Sequence, residues 1–136
     1  MNIKTLTSLF HDGSITAIYH MKNKIIFSME SAETDKNDII DNFIVLRDNR
    51  ICGNLHLEEI KSVTENGQLY VDTLKMKHKD AEIFHLEVTE NKVELQIKWN
   101  SLPPKPYIDE FSTLEIEAGK IWWENKPQWN GTLSGI

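Results

Sequence analysis

Between Lys92 and Trp99 every second residue is apolar: Val93, Leu95, Ile97 and Trp99 alternate with Lys92, Glu94, Gln96 and Lys98. Successive side chains of a strand point to opposite faces, so this run lays four apolar groups on one face and four polar groups on the other. A helix would scatter the same four apolar groups around its circumference. The segment is therefore expected to be a strand with one wet face and one face that the rest of the chain must cover.

The same period recurs upstream. Ile15, Ala17 and Tyr19 alternate with Thr16 and Ile18, and Phe84, Leu86 and Val88 alternate with His85 and Glu87. Ile25, Phe27 and Met29 alternate with Ile26 and Ser28, so the second face of that strand is partly apolar as well. Polar turns separate the runs. Asn66-Gly67 suits a two-residue type I′ hairpin, because both residues tolerate a positive φ. Asp48-Asn49, between Phe43–Leu46 and Ile51–Leu57, is a second turn; Lys22-Asn23, Lys79-Asp80 and Glu90-Asn91 are weaker ones. Short connections force antiparallel neighbours. The expected fold is mainly β: an antiparallel meander of about eight strands forming a sandwich or a barrel, with one or two short helices. Residues 1–136 form a single domain.

The helices are expected at Thr5–Phe10 and at Thr34–Asn42, the latter capped by Thr34 or Asp35. Pro103, Pro104 and Pro106 end the meander and read as a crossover between sheet edges rather than as a PxxP ligand. Beyond them Leu114, Ile116 and Ala118 face inward. The parity then changes to Ile121 and Trp123, with Gly119 at the change, which suits a β-bulge or a tight turn. The tail from Pro127 to Ile136 is polar and is expected to fray.

Composition narrows the function. With 40% hydrophobic and 26% charged residues the chain is globular, and it has neither a signal-peptide core nor an apolar run of membrane-span length. Cys52 is the single cysteine, so no internal disulfide can form, and the expected compartment is the cytoplasm. A net charge of −6 argues against nucleic acid or an anionic membrane as partner and is compatible with a basic protein.

Catalytic patterns are missing from the sequence. The six glycines are scattered singly, so no phosphate-cradling loop is present. Cys52, between Ile51 and Gly53, reads as a small buried residue rather than a nucleophile. No two of His11, His20, His56, His78 and His85 are spaced as metal ligands along one strand face or helix. A cross-strand cluster of His56, His78 and His85 is conceivable, but solvated or hydrogen-bonded histidines on a sheet surface fit better. His11-Asp12 matches the metal-binding dipeptide of helical phosphohydrolases, but an all-helical scaffold is needed to complete that site. Neither a metal nor a cofactor is expected.

The acids and the tryptophans carry the functional expectation. From Ala81 to Glu124 the chain holds Glu82, Glu87, Glu90, Glu94, Asp109, Glu110, Glu115, Glu117 and Glu124 against Lys92, Lys98, Lys105 and Lys120. Several of these acids alternate with apolar residues, so they share the wet face of the sheet. Paired carboxylates can hydrolyse glycosides where a cleft raises the pKa of one of them, and no cleft is legible in the sequence. A solvated acidic face, or one that docks a basic protein, fits better. Trp122 and Trp123 are adjacent, so only one of them can enter a given core. Trp123 goes inside with Ile121. Trp122 is the rim aromatic and the leading contact candidate, joined by Glu115 and Glu117.

The opening Leu9-Phe10-His11-Asp12-Gly13-Ser14-Ile15, leading into a β-hairpin, resembles the start of small bacterial β-domains grouped among immunity proteins of polymorphic toxin systems. The resemblance covers Leu6 to Met29. It implies a non-catalytic domain that binds and blocks a toxin, and it gives Phe10, His11 and Asp12 a structural role. The expected function is thus a protein-binding module, immunity-like, that is not an enzyme. A small-ligand-binding β-barrel is the alternative, and a carboxylate-based glycoside hydrolase comes third.

Overall fold

A computed structural model describes residues 6–33, 50–70, 72–100 and 110–126. A single helical turn, α1 (Leu6–Leu9), precedes seven strands: β1 (Ser14–Met21), β2 (Lys24–Glu30), β3 (Cys52–Glu65), β4 (Gln68–Leu69), β5 (Asp80–Val88), β6 (Lys92–Asn100) and β7 (Glu110–Asn125). All ladders are antiparallel. They run β2-β1-β5-β6-β7-β3-β4, and β2 also pairs with β3, so six strands close into a barrel with β4 outside the circle. Of the two architectures that the alternation allowed, the chain adopts the barrel. Closure removes sheet edges, which a curled antiparallel sheet would otherwise expose.

The hairpins β1–β2 and β5–β6 join neighbours, as short turns require; β6 also pairs with β7 although nine residues separate them, so the stretch expected as a crossover between sheet edges joins neighbouring strands instead. The chain departs from a simple meander between β3 and β5, which lie on opposite sides of the circle. Asn66 (φ 53°) and Gly67 (φ 81°) form the expected two-residue turn, setting Thr64 opposite Leu69 and Glu65 opposite Gln68. The same turn is tied to β7: Asn66 N–H donates to the Thr113 carbonyl, and Thr113 N–H donates to Asn66 Oδ1. The expected strand Phe43–Leu46, the turn Asp48-Asn49, the helix Thr34–Asn42, the three prolines and the tail after Lys126 lie outside the described residues.

Inside the barrel β6 buries Val93, Leu95, Ile97 and Trp99, as its alternation requires. Trp99 Nε1–H donates to Ser112 Oγ at 2.9 Å, so the indole enters the core with its one polar atom satisfied. Leu6 and Phe10 are fully buried, and the Phe10 ring packs at 5.1 Å against Trp123. The segment after Phe10 is stitched to β5: Asp12 N–H donates to the Ile83 carbonyl, and Ile83 N–H to the Gly13 carbonyl.

Three irregularities shift the inward set. The register of β1 slips between Ile15 and Ala17, so Tyr19 is 55% exposed while Ile15 is buried. In β5 the slip lies between Ile83 and His85. Phe84, expected inside with Leu86 and Val88, is therefore exposed, and Ala81 and Ile83 take the inner positions. One extra residue in a strand flips every later side chain to the other face. The third is at the parity change of β7. That strand runs unbroken through Gly119, and the slip falls on its partner, between Ile60 and Ser62. Glu59 adopts φ 57°, and its side chain lies against the Cα of Gly119, where a Cβ would meet it.

Candidate functional site

The outer faces of β2, β3 and β7 carry three cross-strand rows, fixed by register. Ser28 lies opposite Asn54 and Asn54 opposite Glu124; Ile26 opposite His56 and His56 opposite Trp122; Lys24 opposite Glu58 and Glu58 opposite Lys120. These are the residues left outside when Phe27, Leu55, Leu57 and Trp123 point into the barrel.

Trp122 is half-buried. Its indole lies flat on the His56 imidazole, with ring centres 3.9 Å apart and planes 8° from parallel, and its Nε1–H donates to the Glu58 carboxylate. The stack buries His56 on what is otherwise a solvent face: its side chain is 8% exposed. His56 Nε2 lies 2.8 Å from Glu124 Oε1, which also accepts from Asn54 Nδ2 at 3.2 Å; Asn54 Oδ1 in turn accepts from Ser28 Oγ at 2.8 Å. A carboxylate can only accept, so Nε2 donates in this bond, and Nδ1 is buried with no partner among the described residues.

Both carboxylates titrate below the usual carboxylate range. The His56 hydrogen bond, then that from Asn54, lowers Glu124. The Trp122 hydrogen bond lowers Glu58, helped by the charges of Lys24 and Lys120. Hydrogen bonds to the ionised form stabilise it, so both groups are charged at neutral pH.

Beside this network lies a groove of about 820 Å³. Tyr19, Met21, Ile26, Ser28, Asn54 and Lys126 line its sheet side, and residues 73–75 form the opposite wall. Tyr19 and Met21 are each more than half exposed. That wall is held to β1 by Leu74 N–H, which donates to His20 Nδ1 at 2.7 Å. Burial pushes the His20 pKa below the ordinary value.

Of the three expected contact residues, Trp122 belongs to this site and the other two do not. Glu115 lies opposite Glu94 and Thr64, and Glu117 opposite Lys92 and Ser62, on the far half of β7. Five residues of strand between Glu117 and Trp122 span roughly 17 Å. Sequence reasoning passes over Asn54 and Glu58, names Glu124 only as one of the acids after Ala81, and places His56 as a solvated or hydrogen-bonded surface histidine. Glu124 lies 68 positions from His56 along the chain, and only the β3–β7 register brings it and Trp122 to the imidazole. Cys52 is buried, with Sγ 3.7 Å from Glu30 Oε1. No protein family, curated protein or solved structure matches the chain.

Proposed function

We propose that the protein is a non-catalytic binding domain that docks a protein partner over the Trp122–His56 stack and the adjoining groove. This accords with the immunity-like reading of its opening segment. The carrying observation is the stack: Trp122 is held by β7, by the imidazole beneath it and by Glu58, yet keeps part of its surface open. An aromatic side chain ordered before the partner arrives loses little further entropy on binding, which is how tryptophans come to dominate interfaces. Tyr19 and Met21 add exposed apolar surface within the same groove. The ionised Glu58 and Glu124, with Glu115 and Glu117 further along β7, favour a partner with a basic contact surface.

A groove of about 820 Å³ is also within the size range of small-molecule sites, roughly 300–1,000 Å³. This keeps a ligand-binding reading in view, although with the ligand in the groove. The barrel interior is occupied by Trp99, Phe10 and Phe27, which counts against an enclosed ligand.

The test is to recover a partner from an extract of the source organism, purify it, and measure its binding rates. Trp122→Ala and Tyr19→Ala should each speed dissociation by about tenfold or more, the scale of a contact worth at least 1.4 kcal/mol. Glu115→Lys with Glu117→Lys should slow association and weaken its salt dependence. Unchanged dissociation of folded Tyr19→Ala and Trp122→Ala would refute the docking site. A small molecule that co-purifies with the wild type and is lost from Tyr19→Ala would replace the protein partner with a ligand.

A further inference from the structure

On the opposite side of the barrel, the register of β5, β6 and β7 lines up acids. Glu87 lies directly opposite Glu94, and Glu94 directly opposite Glu115. Like charges facing each other across a ladder destabilise it. Lys92 approaches this row, with Nζ 3.9 Å from both Glu94 and Glu115. An acidic row by itself would be a solvated surface. The difference here is His85, two residues before Glu87 on the same face, with Nε2 4.0 Å from Glu87 Oε2. The ligand atoms of His85, Glu87 and Glu94 all lie within 4.8 Å of one another.

The β5 bulge supports this arrangement. By inserting Phe84 it turns both Phe84 and His85 outward, sets His85 opposite Gln96, and leaves Glu87 facing Glu94. Bulges commonly re-aim side chains at functional sites. We propose that His85, Glu87 and Glu94 form a surface site for a divalent transition-metal ion of the Zn²⁺ class.

The coordination chemistry follows from the donors. One imidazole nitrogen with two carboxylates suits Zn²⁺ and its late first-row neighbours, whereas Mg²⁺ and Ca²⁺ prefer oxygen donors throughout. Ligand bonds of about 2.0–2.2 Å place tetrahedral donors roughly 3.3–3.6 Å apart, so the three must close by about 1 Å. Side chains that are 49%, 54% and 36% exposed can rotate that far without moving the strands. Three protein ligands leave a fourth position for water or for Glu115, and the incoming charge replaces Lys92 as the counterion of the row.

The site is tested with the full chain, stripped by a chelator and titrated calorimetrically with ZnCl₂, then with CoCl₂ read by visible absorption. One equivalent should bind, with cobalt bands of four-coordinate intensity. His85→Ala and Glu94→Gln should each weaken binding by about tenfold or more, the scale on which even outer-shell changes act. Glu33→Gln, at an exposed residue just after β2, should leave the affinity unchanged. All three substituted positions face solvent, so circular dichroism should show each variant folded. No saturation up to about millimolar zinc, or full affinity in folded His85→Ala, would overturn the assignment.

Discussion

The β3–β7 ladder carries the stack, and its tightest point is Gly53. A methyl group added there would overlap the Glu124 carbonyl and the Trp123 indole; even Cε2 of that ring would lie 2.9 Å away, where ordinary contact begins near 3.4 Å. The carbonyl is main chain of the paired strand, since Gly53 faces Asn125 and Asn54 faces Glu124. It cannot yield without distorting the row that holds His56. The indole can leave, but a buried tryptophan covers roughly 200 Å², worth up to about 5 kcal/mol at 25 cal/mol per Å². Overpacking in cores typically costs about 1–3 kcal/mol. Because one of the clashing groups is backbone, Gly53→Ala should lie at or above the top of that range, about 3–4 kcal/mol. Urea unfolding followed by tryptophan fluorescence measures this, and an unchanged slope would show that stability alone has moved. A loss below about 1 kcal/mol would mean that β3 and β7 do not approach this closely, and the Glu124–His56 geometry would fall with that conclusion.

Two further outcomes follow from the same packing. Leu95→Ala, inside β6, should cost about 2–5 kcal/mol in denaturant unfolding, whereas Glu94→Ala, from the opposite face of that strand in metal-free buffer, should stay within about 0.5 kcal/mol of the wild type; equal effects would invert the faces of β6. His20 accepts from Leu74 N–H only while Nδ1 is unprotonated, and its folded pKa lies below the ordinary value near 6.5. A depressed base stabilises the fold fully above the unfolded pKa and loses that contribution as pH falls from about 6.5 through the folded value. The protection of the Leu74 amide, taken relative to its intrinsic exchange rate at each pH, should therefore fall over that window, and His20→Gln should abolish this pH dependence.

The core of each regular strand was legible in the sequence, because alternation identifies which residues share a face. Val93, Leu95, Ile97 and Trp99 needed no further information, and neither did the Asn66-Gly67 turn. What alternation cannot show is an inserted residue. The slips after Ile15 and Ile83 have no compositional mark, so Tyr19 and Phe84 were read on the wrong side. The candidate site failed to appear for a related reason. Adjacency of two tryptophans was enough to single out Trp122, but His56, Asn54 and Glu124 become partners only through a ladder between distant segments. Glu115 and Glu117 share β7 with Trp122, and strand length separates them from it.

The circle of strands is not closed equally all round. Among the described residues β1 meets β5 through Ser14 and Ile15 alone, extended by the bonds of Asp12 and Gly13 to Ile83, whereas β2 meets β3 along its whole length and β3 meets β7 from Gly53 to Glu65. Mechanically this is a tube slit along most of one side, and a slit tube resists twisting far less than a closed one. The far end of β1, with Tyr19 and Met21, pairs with β2 and not with β5 among the described residues, and it is tied further by Ile60 N–H to the Asn23 carbonyl and by Leu74 N–H to His20. The groove thus lies along the weakly closed side: its sheet wall is held by the β1–β2 and β2–β3 ladders, and its other wall, residues 73–75, meets β1 through the Leu74–His20 bond.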